Sequence, residues 1–108
     1  MNKQERINAC LRLLNPAYHY KANVVKLNVH NSLRHEMAKC KKAYELILYG
    51  KEIYTEAIFK SGGRCDILIP EDLTIIEILE TETEERFNSK KAIYPKELNI
   101  IAIRAEDV

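Results

Sequence analysis

Tryptophan is absent from the 108 residues, phenylalanine occurs twice, and glycine, proline and cysteine occur three times each. So few glycines and prolines leave little room for a flexible linker, and no segment is repetitive or of low complexity. The cysteines, Cys10, Cys40 and Cys65, are odd in number, widely spaced and without a CxxC pair. That argues against a disulfide scaffold and a zinc cluster, and makes a reducing cytoplasm the expected compartment. No apolar run approaches the ~20 residues of a membrane span, and the polar start MNKQERINAC does not read as a secretory signal. Excess charge is missing too. The net charge of +1 does not by itself point to a nucleic-acid partner.

What is present is 46% hydrophobic and 31% charged residues, the balance expected of a soluble globular domain. The length allows one small domain with a single core. Charge is unevenly placed. Arg34, Lys39, Lys41, Lys42 and Lys51 face only Glu36 and Glu45 within residues 34–51, whereas residues 71–85 hold seven acids and no base. Such a division fits either two ordinary solvated faces or a phosphate-facing surface beside a metal-binding one.

Hydrophobic spacing predicts a helix over residues 3–14, with Ile7, Cys10, Leu11 and Leu14 on one side and Asn15-Pro16 as its stop. A short strand is expected near Val24–Val29. Residues 32–49 give the clearest helix, in which Leu33, Met37, Cys40, Tyr44 and Ile47 form one apolar stripe and Gly50 the end. The period then changes to strands: KEIYTEAIFK, a turn at Ser61-Gly62-Gly63, RCDILI, a turn at Pro70–Leu73, and TIIEILE. Thr81 and Glu84 predict a capping box for a helix running to about Tyr94, closed by Pro95. The last run, LNIIAIRA, is continuously apolar and is expected to be a central strand. The order helix, three strands, helix, strand, after an extra N-terminal helix, predicts an α/β or α+β domain with a mixed sheet.

Two of these strands carry an acid at their centre: Asp66 among Cys65, Ile67 and Leu68, and Glu77 among Ile76, Ile78 and Leu79. With Pro70–Leu73 as a four-residue loop, Ile69 faces Thr74, Leu68 faces Ile75, and Asp66 falls opposite Glu77. Their Cβ atoms would then lie roughly 5 Å apart on one face. Buried like charges at that separation cost several kcal/mol unless a cation joins them or they share a proton. Paired carboxylate oxygens suit Mg²⁺ or Mn²⁺. A one-residue slip in register would separate the pair.

This element order, with an acid-bearing helix and a hairpin carrying Asp66 and then Glu77, resembles the PD-(D/E)XK nuclease superfamily. That is the core shared by type II restriction enzymes and archaeal Holliday junction resolvases. The resemblance covers about residues 32–105; it implies a restriction-endonuclease-like core over 31–108, with residues 1–30 as an N-terminal helix and extension. It further implies a Mg²⁺-dependent DNA endonuclease, with Mn²⁺ as substitute, in which Asp66 and Glu77 hold the metal. Water would be the nucleophile and the product would carry a 5′-phosphate. Glu36 is similar in place to the helix glutamate of resolvase-like members, although a first-turn acid also suits the helix dipole. Glu56 is a further auxiliary if it shares the Asp66 face. The chain departs from the pattern where the motif lysine would stand, at Leu79. Arg64, Lys90 and Lys91 are the candidate stand-ins, and the alternative is a non-catalytic module of the same fold binding nucleic acid or a protein. Branched DNA needs two active sites, so a homodimer is expected, with the N-terminal helix as one route to it.

The remaining polar features point nowhere as specific. His35 lies on the polar side of its helix and is expected to be solvated or to touch phosphate. His19 and His30 have no Cys or His partners at zinc spacing, and Ser61-Gly62-Gly63 lacks the helix and GK[ST] of a phosphate loop. Tyr18, Tyr20 and Lys21 fit packing against the core better than stacking on bases.

Overall fold

The computed structural model describes residues 1–108, the whole sequence given above. Its helices are α1 (Lys3–Leu11), α2 (Leu33–Leu48) and α3 (Glu84–Ile93), and its strands β1 (Tyr54–Ile58), β2 (Arg64–Ile69), β3 (Thr74–Leu79) and β4 (Asn99–Arg104). The strands form one sheet in the order β1-β2-β3-β4. The first three are antiparallel neighbours, and β4 returns parallel to β3 after α3. The fold is α+β with a mixed sheet.

The β2–β3 hairpin has the register read from its loop length. Ile69 pairs with Thr74, Leu68 with Ile75 and Ile67 with Ile76. Pro70–Asp72 make a 3₁₀ turn, and Leu73, at φ 49°, reverses the chain. β1 and β2 pair with Ala57 against Cys65 and Ile58 against Arg64. Counting along that register sets position 56 opposite position 66, on the same face of the sheet.

Apolar side chains fill both faces of the sheet. On one, Cys10 and Leu14 from the N-terminal segment pack with Phe59, Cys65, Leu68, Ile75 and Tyr94. On the other, Ala38 and Ala43 of α2 pack with Ile53, Ile67, Ile69, Ile76 and Ile78. Residues before α2 are tied to the sheet by backbone, with Asn15 N–H donating to the Ile58 carbonyl and Lys60 N–H to the Leu13 carbonyl.

Four expectations change. No strand forms at residues 24–29; that segment runs beside β1, where Lys26 N–H donates to the Thr55 hydroxyl, which itself donates to the Val24 carbonyl. The third helix is capped by Thr83, whose hydroxyl accepts from Arg86 N–H, and not by Thr81. β4 lies at the sheet edge, because nothing pairs beyond it, and Ile101 is half exposed. The largest change is α2. Its stripe of Leu33, Met37 and Tyr44 faces solvent, and the side against the sheet carries His35, Glu36, Ala38, Lys39 and Ala43. Small alanines allow close approach to the sheet, and the three polar residues are tolerated there because each finds a partner.

Candidate functional site

Where β2 and β3 diverge beyond the Ile67–Ile76 pair, the Asp66 carboxylate takes over part of the strand pairing. It accepts the Ile78 N–H at 2.7 Å. From there a chain of polar contacts runs across to α2. His35 Nε2 lies 3.3 Å from Asp66 Oδ2, and His35 Nδ1 lies 2.8 Å from Glu36 Oε2. Glu36 also accepts from Lys39 Nζ at 2.6 Å, from Asn28 N–H at 2.6 Å and from the Asn31 side-chain amide at 3.1 Å. Lys39 continues to Glu56 at 3.4 Å, and Glu56 accepts from the Asn28 side chain at 2.9 Å. On the other side of Asp66 stands Glu77, whose Oε1 accepts from the Tyr94 hydroxyl.

The network is almost dry. Lys39 is fully buried and Glu77 is 1% exposed. Two cationic partners, His35 and Lys39, are set against Glu36, Glu56 and Asp66, a near-balance that makes burial tolerable. Burial works against ionised Asp66, yet the hydrogen bonds from His35, together with Glu77 and Ile78 N–H, hold its pKa below the usual value. Glu36 is held low in the same way, against its burial, by Lys39, Asn28 and His35. The bond to Asp66 pushes His35 up to about 9, against the opposing pull of burial, so the imidazole is cationic at neutral pH. Glu77 goes the other way. Burial first, and then the charge of Asp66, raise its pKa, so at neutral pH it holds its proton.

The sequence candidates Asp66, Glu77, Glu36 and Glu56 therefore meet in one site, though not as equals. Asp66 and Glu77 form the inner pair; Glu36 reaches Asp66 only through His35, and Glu56 only through Lys39 and Glu36. Glu56 is held at φ 53°, in the left-handed region, where a residue other than glycine costs about 1–2 kcal/mol. Strain of that size persists where surrounding contacts demand it, and here Lys39 and Asn28 are those contacts.

Three partners escaped the sequence reading. His35 is buried between two carboxylates rather than solvated. Lys39 stands three residues after Glu36, a spacing that signals a helix pair but not a buried one. Tyr94 marks the end of a helix in sequence, and only the fold brings it to Glu77. Its ring lies so close to Gly63 that a Cβ there would sit 2.7 Å from two ring carbons. Of the candidate stand-ins for the missing lysine, Lys90 is near enough for its charge to act on Glu77. Arg64 instead lines a cleft of about 400 Å³ beside Glu56, with Tyr18, His19, Lys26 and Asn28. Tyr20, in the same wall, is held by the Asn15 and Ile58 carbonyls, which is a packing role, whereas Tyr18 is half exposed.

One oxygen of the pair receives no hydrogen bond from a neighbouring donor: Glu77 Oε2 is buried beside Asp66, to which the protonated Glu77 is hydrogen-bonded. No three or more His, Cys, Asp or Glu side chains stand together as a metal cage. The arrangement therefore brings two carboxyl groups together around one proton. No protein-family model, curated protein or solved structure matches this chain, so the functional reading rests on this geometry.

Proposed function

We propose that the chain is a metal-dependent nuclease acting on DNA, built on a PD-(D/E)XK-like core. The observation that carries this reading is the buried pair of Asp66 and Glu77, in which Glu77 Oε2 receives no hydrogen bond and a bound cation would replace the proton the two acids share. Mg²⁺ keeps several waters and is usually held through one or two carboxylates together with substrate phosphates, so a two-carboxylate set fits it without a full protein cage. Asp66 and Glu77 would hold the ion, with Mn²⁺ as substitute. When bound, such an ion polarises a phosphate oxygen and makes water more acidic.

The chain's own residues prepare that site. His35 and the Ile78 N–H keep Asp66 ionised and fixed in place. Glu36 in turn orients His35, and Lys39 balances Glu36 and Glu56 so that His35 is not drawn away from Asp66. Lys90 brings positive charge towards Glu77, the service Leu79 cannot supply. The cleft beside Glu56 adds Lys26 and Arg64 for backbone phosphates and the half-exposed Tyr18 for a base face.

A second reading has its own observation. The Tyr94 hydroxyl already caps Glu77, and Leu79 stands where the lysine would be. Both features suit a non-catalytic module of the same architecture that binds nucleic acid. Incubation with supercoiled, single-stranded and four-way-junction DNA in Mg²⁺ or Mn²⁺ separates the two. The nuclease reading expects metal-dependent cutting that Asp66→Asn abolishes. Binding without cutting, unchanged or strengthened in Asp66→Asn, supports the module. Neither cutting nor binding would sink both readings.

A further inference from the structure

We infer that the chain forms a two-fold dimer through the outward face of α2, independently of whether it cuts DNA. Leu33, Met37 and Tyr44 are 77%, 62% and 67% exposed, and Leu48 is 71% exposed. Leu27 and Val29, from the segment before the helix, continue the same surface, since they line one groove with Leu33, Met37 and Cys40. Single exposed leucines are ordinary, but a contiguous set is not. Six large side chains, each more than half exposed, approach the ~800 Å² that one partner brings to a stable interface, beyond the ~300–600 Å² patch of a typical monomer.

The spacing identifies the occupant. Leu33, Met37, Cys40, Tyr44 and Ile47 follow one another by four, three, four and three residues. That is the seam with which one helix packs along another at a shallow crossing angle. A second copy of α2 laid antiparallel, with the two-fold axis between Cys40 and Lys41, sets Met37 against the second copy's Tyr44 and Leu33 against its Leu48. A methionine sulfur beside an aromatic ring is a favourable pair. The groove of about 390 Å³ at the Leu33 end then receives the far end of the second helix. An isologous contact of this kind uses one patch twice and closes, leaving no apolar surface open.

Charge does not oppose the arrangement. Lys41, the basic residue nearest the seam's centre, donates to the Val108 carbonyl at 2.9 Å, and Arg34 pairs with Glu106 at 3.2 Å. Both cations are therefore engaged within their own chain. Meanwhile α1 has Cys10 buried on its inner side, which makes α2 the better-placed surface. Most of the acid network lies on the opposite side of α2, and only Glu36, with Asn28 and Asn31, borders the groove at the Leu33 end.

Sedimentation velocity from low micromolar to several hundred micromolar protein tests this, together with a short bismaleimide. Cys10 and Cys65 are buried, so Cys40 is the thiol the reagent reaches. The dimer is expected in the wild type, with a Cys40-to-Cys40 cross-link that Cys40→Ser removes. Met37→Lys and Tyr44→Glu are each expected to weaken self-association by about tenfold or more. Both positions are solvent-facing in the single chain, and circular dichroism verifies that the variants fold. A wild type that is monomeric throughout, or a dimer indifferent to both substitutions, would overturn the inference.

Discussion

Lys39 carries its ammonium to a buried place between Glu36 and Glu56, and no other cation pairs with both. Lys39→Met keeps the volume but strands two carboxylates, and losing one partner of a buried ionic set costs about 3–5 kcal/mol. Urea unfolding is expected to show that loss as a lower midpoint with an unchanged slope. His35 makes a second, pH-dependent contribution. Its pKa is 6.5 in an ordinary setting and about 9 in the fold. Its stabilising effect is therefore complete below pH 6.5 and is lost as pH rises through about 9. Glu77 acts with the same sign, since its pKa is also raised by folding. Asp66 and Glu36, both lowered, act only in the acid range, where stability falls as they are protonated. In EDTA the melting temperature is expected to fall between pH 6.5 and 9, by the equivalent of about 2 kcal/mol for His35. His35→Gln should make that fall shallower; a flat or rising wild-type curve over the same interval contradicts the assignment.

At the scale of elements, the hairpin was legible and the face of α2 was not, for different reasons. RCDILI and TIIEIL are bounded by a turn with proline, and loop length then leaves one register that pairs Ile69 with Thr74. Asp66 and Glu77 followed from that register alone. Helical spacing, by contrast, says which residues share a face, not which face turns inward. Leu33, Met37 and Tyr44 do share one, but the sheet takes the side with His35, Glu36 and Lys39 because Asp66 and Glu56 wait there to satisfy them. Tyr94 was invisible for a related reason, since its partner Glu77 is distant in sequence and meets it only after α3 returns the chain. β4 misled because a continuous apolar run signals burial on both faces, whereas here it closes an edge. These assignments make opposite predictions for two similar substitutions. Ile78→Ala, in the core, is expected to cost about 2–5 kcal/mol. Leu33→Ser, on α2, is expected to stay within about 0.5 kcal/mol when melted at low protein concentration. Equal costs would mean that α2 packs by its apolar stripe after all.

Across the whole molecule, polar and apolar groups stand in an unusual relation. A small domain ordinarily spends its most apolar helix face on its core, yet here that face is outside and an ionic network of six side chains is inside. Structural stability alone gives no reason for this, since a buried network of charges is at best a modest stabiliser. An arrangement that holds Asp66 ionised and Glu77 protonated, with no donor to Glu77 Oε2, is what the proposed cation site would account for. The outward stripe makes sense as a place prepared for a second chain. The acid site is the central claim, and calorimetric titration with Mn²⁺ and Mg²⁺ tests it most directly, comparing the wild type with Asp66→Asn and Glu77→Gln. Glu77→Gln mimics the protonated acid, so it should fold at least as well as the wild type and serve as a clean comparison. The account predicts binding in the wild type that both variants lose. Binding that survives both substitutions, or none in the wild type even with DNA present, would contradict it.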